Sequence, residues 1–440
     1  MDKQGGVAEI VYDICRALVE SPSTPAYSEV HESLAPVVSS ADSRELLDWM
    51  VNNSRARVTL DESDESDESL VSLESLNLAG YSIESVDKRL GAALARAVFR
   101  HGLEKLHLSG NSLKDLDAGL GWLVVDEAEA SREPALSSIF VDANVLREVS
   151  WPPASLIAVR ECLKHLDVSK SQIRSIDVLA APLPRPITLH ALEYLDISGN
   201  IKLDTLPVGF FPSVPNLRRL DAYSCALSSI PEDISVCEHL EHCGLHSNDL
   251  VNLPDALFAC VKISWLSLNM NKLEALPESI GNLTNLKRLS LHQNRLRDLP
   301  AAIAKCVELE ALSLHGNRLT RGSLPDSMAL LENCCRLSLY ENRELGSVPD
   351  GVCGMRRLCE LWLYDCGLTS LNEKIGQLSD LKKLWLDKNP EMVLDDASWT
   401  ALKRLDLHEL YMDGQVAAGE KAQRSTELHA AMRQLNKLYL

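Results

Sequence analysis

Residues 276–296 read LPESIGNLTNLKRLSLHQNRL, and three neighbouring stretches repeat this pattern. They are residues 230–250 (IPEDISVCEHLEHCGLHSNDL), 253–273 (LPDALFACVKISWLSLNMNKL) and 299–319 (LPAAIAKCVELEALSLHGNRL). Each stretch ends in L-x-x-L-x-L-x-x-N-x-L with a period of 23 residues, and Cys243 and Ile263 replace leucine. A fixed period of this length is typical of a protein built from stacked structural repeats.

The end of each repeat has the pattern of a short β-strand. Leu289 and Leu291 alternate with Ser290 and His292, so the leucines lie on one face and the polar residues on the other. One such strand cannot bury its leucines alone, whereas stacked copies form a parallel sheet over a continuous core. The sequence therefore predicts an α/β leucine-rich repeat solenoid, a curved horseshoe with a parallel concave sheet and helical or 3-10 segments on the convex side.

The remaining repeat positions predict the turn and the return segment. The amide of Asn294 is expected to hydrogen-bond backbone groups of its own turn and of the neighbouring one, since buried backbone groups need partners. Pro300 is expected to end the strand direction, and Ile303 and Cys306 to enter the core from the convex side. Most of the 12 cysteines occupy such apolar positions, which predicts buried thiols rather than disulfides.

The repeats predict a solenoid over residues 70–412 with about 14 copies. Before Leu240 the spacing is irregular and the extra length, as at 86–100, predicts α-helices on the convex side. The predicted copies begin at Leu73, Leu103, Leu136, Leu163, Leu192, Leu217, Leu240, Ile263, Leu286, Leu309, Cys334, Leu358, Leu381 and Leu402. In the last copy, Leu410 takes the place of the asparagine.

Different segments flank the repeats. Residues 1–60 contain two helical patterns, at 7–19 and 43–51, and are predicted to be a helical cap or a tether. Residues 61–69 (DESDESDES) are predicted to be an acidic linker, and their serines are candidate phosphorylation sites. Residues 413–440 carry Leu428, Met432, Leu435 and Leu438 at helical spacing, which predicts a C-terminal capping helix.

Charge and termini restrict the class of partner. The formal net charge is −19, which argues against nucleic acid or an anionic membrane as the main partner. We see neither a signal-peptide pattern nor an apolar run long enough to span a bilayer. The expected location is therefore the cytoplasm, with the nucleus as an alternative, and no membrane insertion is expected.

The non-leucine strand positions of successive copies should stack into columns on the concave face. One column is expected to contain His246, Asn269, His292, His315, Tyr340, Tyr364 and Asp387, and a second Gly244, Ser267, Ser290, Ser313, Ser338, Trp362, Trp385 and Asp406. Large amphipathic rings dominate interface energies, so this face is the predicted protein-binding surface. The candidate partner-binding residues are Trp265, His292, His315, Tyr340, Trp362, Tyr364, Trp385 and Asp387.

Metal binding and catalysis have weaker support in the sequence than protein binding. His292 and His315 would lie side by side, but no carboxylate or thiolate at suitable spacing completes a metal site. No strained nucleophile turn or oxyanion hole accompanies Ser290 and His292, so we expect no catalysis, no cofactor and no small-molecule substrate. The histidines do predict a modest pH dependence of binding near neutrality. Lys262–Trp265 (KISW) is similar to a phosphatase-docking motif, although Ile263 is a core position.

The sequence pattern L-P-x-x-I/L followed by L-x-x-L-x-L-x-x-N-x-L resembles the intracellular leucine-rich repeats of the Ras-suppressor and Ras-scaffold type. It also resembles the plant intracellular Ras-group repeats. Bacterial ubiquitin-ligase effectors carry such repeats as well, but the sequence shows no separate catalytic domain of that kind. The close match covers residues 230–386, and looser copies cover 73–412. The resemblance implies a horseshoe without catalytic activity, whose concave face holds partner proteins in signalling or complex assembly.

Three functional hypotheses follow from these patterns. The first is a scaffold or adaptor that binds one or more proteins on the concave face. The second is a structural subunit of a larger assembly, anchored through its termini. The third is a regulatory subunit that docks on a phosphatase or a ubiquitin ligase.

Overall fold

The computed structural model describes residues 58–60, 73–80, 83–86, 88–124, 134–178, 187–412, 423, 426–427, 430 and 435–439. The chain divides into two compact units, Met1–Ala226 and Leu227–Leu440. Each unit contains a parallel sheet with one strand per repeat, as the alternating leucines predict.

The first unit carries six parallel repeat strands and three further strands. The strand β1 pairs antiparallel with β2, whereas β5 and β7 pair with each other in a separate two-stranded parallel sheet. The strands are β1 (Val58–Leu60), β2 (Leu73–Asn77), β3 (Lys105–His107), β4 (Ser138–Phe140), β5 (Glu148–Trp151), β6 (His165–Asp167), β7 (Ser175–Val178), β8 (Tyr194–Asp196) and β9 (Arg219–Asp221).

The long repeats of the first unit contain helices, as predicted at 86–100. The helix α1 (Lys88–His101) buries Leu90, Leu94 and Ala97, which share one face at helical spacing. Shorter segments follow: α2 (Leu116–Leu120) and 3-10 helices at Gly121–Leu123, Ala154–Val159 and Phe211–Ser213. Between residues 148 and 178, however, the extra length forms the sheet of β5 and β7, because Val149, Ile176 and their neighbours alternate with period two.

The second unit is regular. The nine strands among its described residues pair in parallel with consecutive neighbours, and residues one period apart are direct partners, as in Leu266, Leu289 and Leu312. The strands are β10 (His242–Gly244), β11 (Trp265–Ser267), β12 (Arg288–Ser290), β13 (Ala311–Ser313), β14 (Arg336–Ser338), β15 (Glu360–Trp362), β16 (Lys383–Trp385), β17 (Glu409–Tyr411) and β18 (Lys437–Tyr439).

One-turn helices return the chain from one strand of the second unit to the next. Pro254, Pro277 and Pro300 each stand directly before a 3-10 helix, because the fixed φ of proline suits a helix start. The 3-10 helices are Glu232–Val236, Asp255–Ala259, Glu278–Asn282, Ala301–Lys305, Asp326–Leu330 and Glu373–Gln377, and the α-helices are α3 (Asp350–Cys353) and α4 (Asp396–Lys403).

Leucines and thiols fill the core between the sheet and these helices. Leu289 and Leu291 are almost fully buried, and so are Ile303 and Cys306 from the return segment. The thiols of Cys260 and Cys306 donate to the carbonyls of Ile234 and Ile280, one repeat earlier, at 3.4 Å. The eleven cysteines within the described residues are free thiols, and the seven buried ones act as small core residues.

A ladder of buried asparagines closes each turn. The Asn294 amide nitrogen donates to the carbonyls of Leu291 (3.0 Å) and, in the preceding repeat, Leu268 (2.9 Å), while its oxygen accepts from the amide of Leu273 (3.0 Å). The same three bonds recur at Asn271, at Asn317 and, in the first unit, at Asn111. This strand, turn and core arrangement is that of a leucine-rich repeat solenoid.

The C-terminal end of the repeat array differs from the prediction in two ways. The last predicted copy begins at Leu407 rather than at Leu402, because Leu410 pairs with Leu384 as a core strand residue and does not replace the asparagine. The predicted helix over 413–440 ends before β18, in which Leu438 pairs with Leu410. Leu435, Leu438 and Leu440 have the L-x-x-L-x-L spacing of one more repeat. The spacing of Leu435 and Leu438 also fits one face of a helix, which is why the sequence predicts a helix there.

The N-terminal segments are only partly described. Residues 58–60, assigned by sequence to the helical segment, form β1 and give β2 a hydrogen-bonded neighbour. The helical patterns at 7–19 and 43–51 and the acidic run at 61–69 lie outside the described residues. None of the described helices is long and apolar enough to cross a membrane.

Replacing Asn294 by Ala should lower the free energy of unfolding by about 2 to 4 kcal/mol, because it leaves buried backbone groups of three residues without partners. The Asn285→Ala variant is the matched control, since this exposed amide makes a single bond to the Val261 carbonyl. It should cost less than about 1 kcal/mol. Urea denaturation followed by circular dichroism measures both changes, and equal losses would contradict the ladder's role.

Candidate functional site

The open face of the second unit's sheet, which is the face predicted to be concave, carries two stacks of rings. In each repeat, one side chain follows the third leucine of the L-x-x-L-x-L pattern, as His292 follows Leu291. The parallel register places this side chain next to the equivalent side chain of the following repeat. This builds the histidine–tyrosine ladder (His292, His315, Tyr340 and Tyr364), in which ring centroids are 4.2, 3.9 and 4.3 Å apart and each pair of planes lies within 13°.

The second stack is the tryptophan ladder (Trp362, Trp385 and Tyr411). Trp362 pairs with Trp385 across β15 and β16, and Trp385 pairs with Tyr411 across β16 and β17. Their ring centroids are 5.0 and 5.4 Å apart, with planes nearly parallel. Tyr411 therefore takes the column position that the sequence analysis gave to Asp406, which follows from the corrected start of the last copy.

Small residues separate the tryptophan ladder from Trp265. The column of Trp362 continues through Ser338, Ser313 and Ser290, which form the serine floor of the open face. Trp265 stands beyond this floor on β11, with its ring centroid 6.0 Å from that of His242. The floor and its walls enclose the ring-lined bay, an open concavity of about 640 Å³.

One rim of the bay is basic and the other is aromatic. Arg288 and Arg336 flank Ala311 on β12, β14 and β13, and both arginines are exposed. His315, Tyr340 and Tyr364 line the opposite rim. None of the residues that line the bay is acidic, which contrasts with the net charge of −19 for the whole chain.

The pKa values of both histidines in the ladder are lowered. Burial and the neighbouring His292 ring lower the pKa of His315 to about 4, and burial together with His246 lowers the pKa of His292. The Nδ1 atom of His315 lies 3.1 Å from the Ser338 hydroxyl. Titration of His315 therefore lies well below neutral pH, so this ring does not supply the predicted pH dependence near neutrality, and the shift of His292 has the same direction.

The stacked geometry of His292 and His315 does not suit a shared metal ion. The nitrogen lone pairs of an imidazole lie in the ring plane, so the face-to-face rings of His292 and His315 do not aim them at one shared ion. Within the described part of the chain, no group of three or more His, Cys, Asp or Glu side chains could hold a metal ion.

The structure brings six of the eight candidate residues to the bay. Trp265, His315, Tyr340, Trp362, Tyr364 and Trp385 line it. His292 extends the histidine–tyrosine ladder beyond it, and Asp387, one repeat past Tyr364 in the same column, does not line it. All eight are half-buried rather than fully exposed. Ile263 is fully buried in the turn that leads into β11, so the Lys262–Trp265 string is part of the repeat core and not an accessible docking motif.

The first unit has its own ring cluster, which the sequence analysis missed. Phe140 stacks on His107 (4.3 Å between centroids) and contacts His165 (4.7 Å), which meets the edge of Tyr194 (4.1 Å). The Tyr194 hydroxyl donates to Asp221 at 3.0 Å. Extending the column of Ser290 to earlier copies would have found His107 and Phe140, whereas His165 and Tyr194 lie at the strand position of Trp265, for which the sequence analysis defined no column.

Comparisons with known proteins agree with the fold. The family described as "Leucine-rich repeat region" matches residues 277–440. No curated protein matches the sequence. An internalin (InlF) from Listeria monocytogenes is similar in structure, with a TM-score of 0.57 and 16% identity over 88% of this chain and 94% of that one.

Two further structures are similar. A chain of the Toll–Spätzle complex of Drosophila has a TM-score of 0.57 and 22% identity, over 79% of this chain and 42% of that one. The leucine-rich repeat protein LIC12759 of Leptospira interrogans has a TM-score of 0.49 and 20% identity, over 83% of this chain and 95% of that one. At these identities the similarity concerns the fold.

The lowered pKa of His315 predicts how stability changes in acid. Between pH 6.5 and about 4 the unfolded imidazole binds a proton that the folded ring does not, so the free energy of unfolding falls as the pH falls. In the His315→Gln variant this fall should be smaller. Urea denaturation at pH 8, 6 and 5 measures it, and the pH 8 value isolates the loss of stacking, because both states are then neutral. A parallel loss in both proteins would contradict the assignment.

Proposed function

We propose that this chain is a non-catalytic scaffold or adaptor that binds a partner protein through the ring-lined bay of its second unit. The observation that carries the proposal is the pair of ring ladders around a floor of small residues. Aromatic and arginine side chains dominate the energetics of protein interfaces, and the bay concentrates both.

The geometry favours a protein partner in two further ways. The rings are already stacked, so binding immobilises few additional side chains and loses little conformational entropy. By the usual strand spacing, β11 with Trp265 and β15 with Trp362 are about 19 Å apart across the serine floor, which admits a chain segment. Leucine-rich repeat folds generally act as interaction scaffolds, and the Toll–Spätzle structure is named as a complex.

We also propose that the chain works in the cytoplasm, in signalling or complex assembly, as its resemblance to intracellular Ras-type repeats implies. Seven of the described cysteines are buried core residues. Such thiols persist in reducing compartments, which supports this location.

The test compares partners that co-purify from native lysate with three forms of the chain. The Trp362→Ala/Tyr364→Ala/Trp385→Ala variant removes rings from both ladders, and the Ala311→Trp variant fills the bay without removing a core residue. Both should lose the same partner, by about tenfold or more, because interface hot spots cost 2 kcal/mol or more when truncated.

The control variant carries Val261→Ala, Val307→Ala and Leu330→Ala, three exposed apolar residues on the other side of the unit. It should keep the partner. Circular dichroism and thermal unfolding check the fold of each variant, since the ladder rings are half-buried. Retention of every partner by the folded Ala311→Trp protein would refute binding in the bay.

A further inference from the structure

The basic rim of the ring-lined bay carries two arginines without an acidic partner. Arg288 and Arg336 form no ion pair with any described residue. Other cations in the same strand column are paired: Lys383 with Glu360 at 3.1 Å and Lys437 with Glu409 at 3.5 Å. Two unpaired guanidinium groups beside aromatic walls leave strong donors available to a ligand.

The position of the two arginines defines what they can reach. They occupy equivalent positions on β12 and β14 with Ala311 between them, so their backbones are about 10 Å apart by the usual strand spacing. Ala311 presents only a methyl group and leaves the space between them open. Carboxylates two residues apart in an extended segment are about 7 Å apart, a separation that two long arginine side chains can bridge.

The rest of the bay suits the neighbouring residues of such a segment. Trp265 closes one end and Trp362 the other, and both offer ring surface to apolar or aromatic side chains. The hydroxyls of Ser290 and Ser313 form no hydrogen bond within the described part of the chain, so they can bond to the backbone of an incoming strand. An extended chain of about six residues spans the distance between the tryptophans.

We infer that the bay binds an extended segment of a partner protein in which acidic side chains stand next to aromatic or large apolar ones. The carboxylates pair with Arg288 and Arg336, and the apolar side chains contact Trp265 and Trp362. This inference rests on the proposed function and adds the chemical character of the partner. The charge contrast also explains selectivity, because the acidic remainder of the chain repels acidic segments elsewhere.

The surroundings favour a protein segment over nucleic acid. Binding to a nucleic-acid backbone draws its affinity from many phosphate contacts, whereas the bay offers two arginines in a chain of net charge −19. The rings of the histidine–tyrosine ladder stack on one another at 3.9 to 4.3 Å, so no gap between them admits an intercalated base. The ligand that fits is short and carries few charges.

A random heptapeptide library displayed on phage tests the inference without presupposing a sequence. Panning on the full chain should enrich Asp or Glu adjacent to Trp, Phe, Tyr or Leu. A selected peptide is then labelled, and its affinity is measured by fluorescence anisotropy. The Arg288→Glu/Arg336→Glu variant should bind it about tenfold more weakly or worse, because buried interfacial charge pairs commonly contribute that much.

The matched control is Arg295→Glu/Arg318→Glu, which changes the net charge equally at two exposed arginines that do not line the bay. It should bind the peptide within about twofold of the unmodified chain at 150 mM salt, where distant charges are screened. Equal weakening in both variants would show a general charge effect and overturn the inference.

Other outcomes separate this inference from the scaffold proposal. Enrichment of apolar or basic peptides, with binding lost on Ala311→Trp but kept on Arg288→Glu/Arg336→Glu, overturns the acidic partner and leaves the bay as a binding site. Peptides that bind all variants equally, or no selected peptide at all, overturn the inference here. Tighter binding of a heptamer of deoxyadenosine than of the peptide also overturns it.

Discussion

The hydrogen bonds of the buried asparagines are the constraint on which the rest of the second unit depends. The strand of each repeat ends in a turn whose backbone groups point into the core, where no water can reach them. Asn294 meets this need with one side chain, since its amide bonds to carbonyls of two successive repeats and accepts from a third residue. Each asparagine thereby ties its own turn to the preceding repeat.

This constraint fixes the register, and the register builds the open face. Because consecutive strands pair at one period, any residue type repeated at a strand position becomes a column at strand spacing. Aromatic rings at such positions must stack, as in the histidine–tyrosine ladder, with centroids 3.9 to 4.3 Å apart. The stacked rings are consequently half-buried, whereas isolated surface rings would be more exposed.

The fold and most of the candidate site could be predicted from the sequence because both depend on spacing. The period of 23 residues gave the strand positions, and the columns of His292 through Tyr364 followed directly. The prediction failed where spacing is ambiguous: Leu435 and Leu438 fit either a helical face or a repeat strand. It also failed at Leu402, since the degenerate last copy lacks the asparagine that identifies the turn.

Properties that depend on neighbouring residues in three dimensions could not be predicted from the sequence. The lowered pKa of His315 arises from stacking and burial, and the unpaired state of Arg288 and Arg336 depends on which side chains face them. The turn conformation was also hidden: Ser247, Met270 and Gln293 adopt positive φ before the asparagine, although none is a glycine. Sequence position identified the columns, but only the structure gave their charge and exposure.

Site-specific photocrosslinking tests the central claim, partner binding in the bay, most directly. A photoreactive amino acid would replace Ser313 in the serine floor or, as the matched control, half-buried Ser327 on the 3-10 helix Asp326–Leu330. Irradiation in native lysate should give a discrete covalent adduct with one protein from position 313 and none of it from position 327. The same adduct from both positions, or from position 327 alone, would contradict the account.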